Sequence, residues 1–122
     1  MGLPVTSGDI RDIEPAELHR LLELPAGERP LVIDVREPWE YQQGHVPGAR
    51  LIPLGDLMRH LDDLDPAMPV AVICATGSRS QSAAALFGQK GFATIYNVQG
   101  GTMAWTMNRL PLERSNGKEH SS

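Results

Sequence analysis

Short apolar, β-branched runs alternate along the chain with segments of helical period, and that alternation leaves few folds open. "LVIDV" (31–35) and "VAVIC" (70–74) are continuous apolar runs of the kind expected from strands buried on both faces. "ARLIP" (49–53) and "TIYNV" (94–98) read as two further strands. Between them lie helical segments. "DIEPAELHRLLELP" puts Leu18, Leu21 and Leu22 on one face, with Pro15 at a first helical position and Pro25 as a stop. "REPWEYQQG" forms a short helix between Pro38 and Gly44, and "LGDLMRHLDDLDP" repeats Leu54, Leu57, Met58 and Leu61 before Pro66. "SRSQSAAALFGQKG" is the clearest helix. Ser78 and Gln81 have capping-box spacing, and Lys90-Gly91-Phe92 reads as a glycine C-cap followed by an apolar residue. "GGTMAWTMNRL" supplies a last helix. Alternating strands and helices predict an α/β domain with a mainly parallel sheet and helices on both faces.

At 122 residues there is room for one domain, and 41% hydrophobic content is that of an ordinary globular chain. The expected boundaries are an N-terminal arm over 1–8, the domain over 9–112 and a polar tail over 113–122. A net charge of −4 gives no basic surface for nucleic acid. No apolar stretch approaches the roughly 18–20 residues of a membrane span. The start, "MGLPVTSGDIRDIEP", lacks a basic region followed by an apolar core, so no signal peptide is read, and Thr6 after Met-Gly is too little to indicate lipidation. Cys74 is the only cysteine, which excludes an intramolecular disulfide and a cysteine-rich zinc site, and His19, His45, His60 and His120 show no ligand spacing. A reducing, cytoplasmic setting is expected.

Ligands of open parallel sheets bind beyond the carboxyl ends of the strands. Asp34 and Cys74 both stand at such ends. In "CATGSRS" the chain must leave a strand and start a helix within about four residues, a turn that aims backbone N–H groups inward as an anion nest. Gly77 takes a positive φ at little cost there. The helix start adds unpaired N–H groups and roughly half a positive charge. Such a cradle favours thiolate over thiol, below the reference pKa of about 8.5, and it holds a negative group attached to the sulfur. Thr76, Ser78 and Ser80 could add hydroxyl donors, and Arg79 a permanent cation.

The loop "CATGSRS" resembles the Cys-x-x-Gly-x-Arg-Ser active-site loop of the rhodanese (sulfurtransferase) family. Three more segments match in order. "LVIDVREPWEYQQGHVPGA" (31–49) is similar to the family's Asp-Val-Arg-Glu stretch followed by Gly-His-Ile-Pro-Gly-Ala, "IPLGDL" (52–57) to the next helix entry, and "VQGGTMAW" (98–105) to its closing Gly-Gly-x-x-x-Trp. The resemblance spans about Ile10 to Pro111. It implies a five-stranded, mainly parallel sheet with helices on both faces. It also implies a sulfurtransferase in which Cys74 attacks the outer sulfur of a donor such as thiosulfate and passes the sulfur to cyanide or a thiol. Ala75, Thr76, Gly77, Ser78, Arg79 and Ser80 would form the persulfide-binding loop. Asp34 and Arg36 would support it through hydrogen bonds, and no metal or organic cofactor is implied. A protein could serve as the sulfur acceptor; neither nucleic acid nor membrane is expected as a partner.

Arg79 has two readings, a donor-binding cation or a tie to an acidic neighbour. His45 is expected to be structural, and Trp39 and Trp105 to be packing residues. Ala75 and Thr76 are neutral where thiosulfate-favouring rhodaneses often carry basic residues, and the loop differs from the Cys-Gly-Ser-Gly-Val-Thr form of mercaptopyruvate sulfurtransferases. The alternative function is a persulfide carrier or docking module for a partner protein. A Cys-dependent phosphatase is disfavoured, because its Cys-x5-Arg loop would need arginine at the position of Ser80.

Overall fold

The computed structural model describes residues 9–114, so the expected arm over 1–8 and residues 115–122 of the expected tail lie outside the described residues. Five strands form one sheet: β1 (Asp9–Ile13), β2 (Leu31–Asp34), β3 (Arg50–Leu51), β4 (Val70–Ile73) and β5 (Thr94–Val98). Their order is β1-β5-β4-β2-β3, and every pairing is parallel. The expected fold class holds, with a sheet that is wholly rather than mainly parallel. The run 49–53 contributes only two strand residues because Pro53 has no N–H to donate. Beyond it, the N–H groups of Ile52 and Leu54 still reach the carbonyls of Asp34 and Val35.

The strand missing from the sequence reading is β1. "DIRDI" exposes four of its five residues and buries only Ile13, as suits an edge strand whose charges discourage further pairing. Its place is set by register instead, from Asp9 against Thr94 to Ile13 against Val98.

β4 lies at the centre and is buried throughout. Its side chains alternate with the strand's period of two. Val70, Val72 and Cys74 face one layer with Ile33, Val35 and Ile95, while Ala71 and Ile73 face the other with Val32 and Val98. The first layer is closed by α3 (Leu57–His60) and α4 (Ser78–Gln89), through Leu57, Ala83, Ala84 and Phe87. The second is closed by α1 (Pro15–Leu21), α2 (Pro38–Gln43) and α5 (Gly101–Met107), through Leu18, Tyr41 and Trp105. Helices thus cover both faces. Among the described residues no helix is long and apolar enough to cross a membrane.

Two helix expectations need correction. The segment 54–63 is a 3-10 turn, the single α-turn of α3 and another 3-10 turn. The tighter winding keeps Leu57, Leu61 and Leu64 buried at spacings of four and three, but leaves Met58 65% exposed. At the start of α4 there is no capping box. Gly77 occupies the N-cap position and no side chain caps the helix. The C-terminal end is as expected. Gly91 and Phe92 donate to the carbonyls of Gly88 and Phe87, and Phe92 packs edge-on against Phe87 at 4.8 Å.

Candidate active site

Cys74 follows the last residue of the central strand β4, and α4 starts four residues later. The turn is made at Gly77, whose φ of 109° and ψ of −10° are left-handed. In that conformation its N–H points back at the sulfur, with N to Sγ at 3.0 Å. Ser80, in the first turn of α4, places Oγ 3.5 Å from the same sulfur and is itself fully buried. The S–H donates to this oxygen in the thiol form; in the thiolate form the one hydroxyl proton bonds the sulfur only by turning away from its other acceptors. Thr76 and Ser78, expected as further hydroxyl donors, are exposed, and neither side chain bonds the sulfur.

Cys74 is only 1% exposed. Burial pushes its thiol up, but the Ser80 hydroxyl and the backbone N–H groups of Ser80, Gly77 and Thr76 outweigh that, and the net pKa falls below the ordinary value.

Further residues hold this arrangement from other elements. The Ser80 hydroxyl also lies 3.1 Å from the Gly77 carbonyl and 2.5 Å from Oδ1 of buried Asn97 on β5. Asn97 turns its amide nitrogen to Asp12 on β1, at 3.0 Å, which fixes which end of the amide faces Ser80. From the opposite side, the first N–H groups of α5 clamp the loop. Thr102 donates to the Cys74 carbonyl at 2.8 Å and Met103 to the Ala75 carbonyl at 3.0 Å. Gly101 makes this approach possible, since a Cβ there would sit 2.3 Å from the Cys74 oxygen.

The rhodanese-like domain pattern matches residues 14–108. The chain belongs to the rhodanese-like domain family. It is 34% identical over 112 residues to the thiosulfate sulfurtransferase GlpE of Pseudomonas paraeruginosa, covering 92% of this chain and 97% of that one. It is 35% identical over 96 residues to GlpE of Pseudomonas putida, covering 79% and 86%. In structure it is similar to a rhodanese-related protein from Thermoplasma volcanium, with a TM-score of 0.77, 31% identity and coverage of 86% of this chain and 99% of that one. A rhodanese-like domain protein from Staphylococcus aureus superposes with a TM-score of 0.77 at 27% identity, covering 87% and 99%.

Within this rhodanese-like domain, Arg79 has an acidic neighbour. Its guanidinium grips Glu40 of α2 with two parallel bonds, Nη1 to Oε1 at 2.8 Å and Nη2 to Oε2 at 3.0 Å. These bonds bring the Glu40 carboxyl down from 4.5 to about 2 against the opposing effect of burial. Because the folded value is the lower one, the pair's contribution to stability is present above pH 4.5 and lost as pH falls through about 2. Glu40→Gln is expected to release the cation beside the loop and to remove this contribution. Thermal melting of both proteins above pH 4.5 and near pH 2 checks it, the two differing only at the higher pH.

Asp34 and Arg36 form a buried pair, with Nε to Oδ1 at 2.9 Å and Nη2 to Oδ2 at 2.8 Å. Arg36 also donates to the Gly44 carbonyl at the end of α2. Neither side chain hydrogen-bonds the 74–80 loop; the expected direct support is replaced by anchoring of α2, which carries Glu40. His45 is buried away from the sulfur. It stacks on Tyr41 at 3.6 Å, its Nδ1 meets the Tyr41 carbonyl, and its backbone pairs with Glu113. Trp105 is a packing residue as expected, fully buried with Nε1 donating to Pro111. Trp39 is not: it stands 62% exposed and lines, with Ala75, a cleft between α2 and α5.

Asp12 and Glu40 carry no local signal for these roles. Asn97 carries one, an amide inside the apolar run "TIYNV" that must find a partner when buried, and Gly101 lies in the Gly-Gly pair of "VQGGTMAW".

Proposed function

We propose that this rhodanese-like domain is a sulfurtransferase that carries sulfane sulfur as a persulfide on Cys74, in the reducing setting of the cytoplasm. The observation that carries the reading is the Gly77 N–H aimed at Sγ from 3.0 Å at the start of α4. A donor there stabilises Sγ as the attacking thiolate, and again as the leaving group when an acceptor takes the outer sulfur. The thiolate attacks the outer sulfur of thiosulfate. The donor's S–S bond breaks, sulfite leaves with the electron pair, and Cys74–S–S⁻ remains. Cyanide or a thiolate then attacks the outer sulfur, giving thiocyanate or a new persulfide and returning the Cys74 thiolate. No oxidant is consumed. Donors placed at developing charge are typically worth about 3–4 kcal/mol. Asp34 and Arg36 act at one remove, by holding α2 and its Glu40 against Arg79. The GlpE relatives, named as thiosulfate sulfurtransferases, support this reading.

Intact-mass measurement after incubation with thiosulfate, and separately with a low-molecular-weight persulfide, tests it. The expected result is a gain of one sulfur atom that cyanide removes and that Cys74→Ser lacks entirely. A protein whose mass no donor changes would refute the persulfide reading.

A further inference from the structure

Ser80 has one hydroxyl proton and three acceptors within reach. Oδ1 of Asn97 lies at 2.5 Å, the Gly77 carbonyl at 3.1 Å and the Cys74 sulfur at 3.5 Å. The shortest contact takes the proton, which leaves the lone pairs of Oγ to the thiol. The bonds then run one way, outward from the sulfur. The S–H donates to Ser80, the Ser80 hydroxyl to Asn97, and the Asn97 amide N–H to Asp12 at 3.0 Å. Each donor in such a chain strengthens the next. The chain suits a thiol. A thiolate has no proton to begin it, and it gains the Ser80 donor only if the hydroxyl turns from Asn97 to the sulfur.

That turn leaves Oδ1 of Asn97 without a donor, and the side chain is only 2% exposed. An amide avoids this by rotating half a turn, so that Nδ2 donates to Ser80 Oγ while the hydroxyl serves the sulfur. Asp12 opposes the rotation. It would bring Oδ1 against the Asp12 carboxylate, two acceptors with no proton between them. The carboxylate thus holds the amide in the orientation that keeps the Ser80 proton. Asp12 itself is exposed on the edge strand β1. With Asn97, Thr76, Gly77 and Ser78 it lines an open recess of about 320 Å³, so solvent can take its place beside the amide. The cations near the loop are tied to the β2 side of the sheet, Arg79 by Glu40 and Arg36 by Asp34. β5 and α5 carry no charged side chain.

Deepening the sulfurtransferase reading of Cys74 and resting on it, we infer that Asp12 is a positioning residue: by locking the Asn97 amide it holds the Ser80 proton off the sulfur and restrains the reactivity of Cys74. Its removal makes the cysteine more reactive, the reverse of what loss of a supporting contact does.

The test is alkylation of Cys74 by iodoacetamide, followed against pH in the unaltered chain, in Asp12→Ala, in Asn97→Ala and in the double variant, each shown by its melting curve to be folded. Below the midpoint of the profile, Asp12→Ala is expected to react about 3–10-fold faster than the unaltered protein, the worth of one hydrogen bond gained by the thiolate. Its midpoint moves down, and the rates converge above it. Asp12→Lys, which offers the amide a donor in place of an acceptor, should gain at least as much. High salt should leave the Asp12→Ala gain in place, since it screens an exposed charge but does not turn an amide. In the Asn97→Ala background no amide is left to lock, and Asp12→Ala should change nothing further. A profile unchanged or displaced upward in both Asp12 variants, a gain that high salt removes, or a gain that persists without Asn97 would each overturn the inference. Intact mass after incubation with thiosulfate, read on the same proteins, separates the two claims. If sulfur loads on none of them while the alkylation gain stands, the sulfurtransferase reading falls and the positioning role of Asp12 remains.

Discussion

Gly101→Val is expected to lower the melting temperature and to leave no measurable sulfur loading of Cys74. The Cβ would lie 2.3 Å from the Cys74 carbonyl oxygen and 2.5 Å from the Ala75 carbonyl carbon, both backbone atoms that no rotamer change can move. The φ of 60° adds a left-handed conformation that costs an L-residue roughly 1–2 kcal/mol, more for a β-branched one. Relief of the clash requires α5 to lift off the loop. That breaks the Thr102 and Met103 bonds to it, each worth about 0.5–1.5 kcal/mol. Together these reach about 2–5 kcal/mol against a total stability of about 5–15. Thermal unfolding should therefore fall by roughly 8 °C or more, at about 4–8 °C per kcal/mol. An unchanged melting temperature would mean that α5 is not seated on the Cys74–Ala75 backbone.

Ser80→Ala is expected to slow sulfur transfer about 100-fold while the domain stays folded, because one donor at developing charge is removed. The Ser80 hydroxyl lowers the Cys74 pKa, so its loss raises it, with burial then less opposed. Alkylation by iodoacetamide, followed against pH, should shift its midpoint upward. At neutral pH the variant reacts more slowly; well above both midpoints the two alkylation rates converge. Transfer should not converge there, since Sγ still lacks that donor when it leaves as the thiolate in the second displacement. The linkage has a definite sign. A depressed folded value means the thiolate stabilises the fold above the ordinary pKa of 9.0, a gain lost as pH falls through the folded value, and Ser80→Ala shrinks that gain. The variant also strands the Asn97 carbonyl oxygen, at a cost of about 1–3 kcal/mol. A pH profile identical to that of the unaltered protein would show that the hydroxyl does not act on the sulfur.

What could be read in the sequence follows from how local each signal is. β2 and β4 stand out because both their faces are buried and their apolar runs are continuous, and β5 by its β-branched and aromatic residues. β1 does not, because an edge strand covered by charge has no apolar run to show. The Cys74–Ser80 loop was legible for the same reason as β4: strand end, glycine and helix start are contiguous. Its finer chemistry was misassigned where contiguity misleads. Ser78 looked like a cap, yet Gly77 takes that position, and of three nearby hydroxyls only Ser80, one turn into the helix, faces the sulfur. The groups that orient Ser80 and Arg79 come from β5, β1 and α2. Their contacts span 17 residues for Ser80–Asn97, 85 for Asn97–Asp12 and 39 for Arg79–Glu40. No pattern along the chain announces such partners.

The place of β5 between β1 and β4 has a consequence for how the protein comes into being. On the ribosome the first strand emerges long before its only neighbour, and the last strand made is the one that joins the two parts of the sheet. Pairing at such sequence separation is slow, and the edge must wait in a partly assembled chain. Asn97 arrives with that last strand, and its bonds to Asp12 and Ser80 form in the same closing step. The bonds that orient the Ser80 hydroxyl beside the thiol are thus completed only when nearly the whole domain has been synthesised.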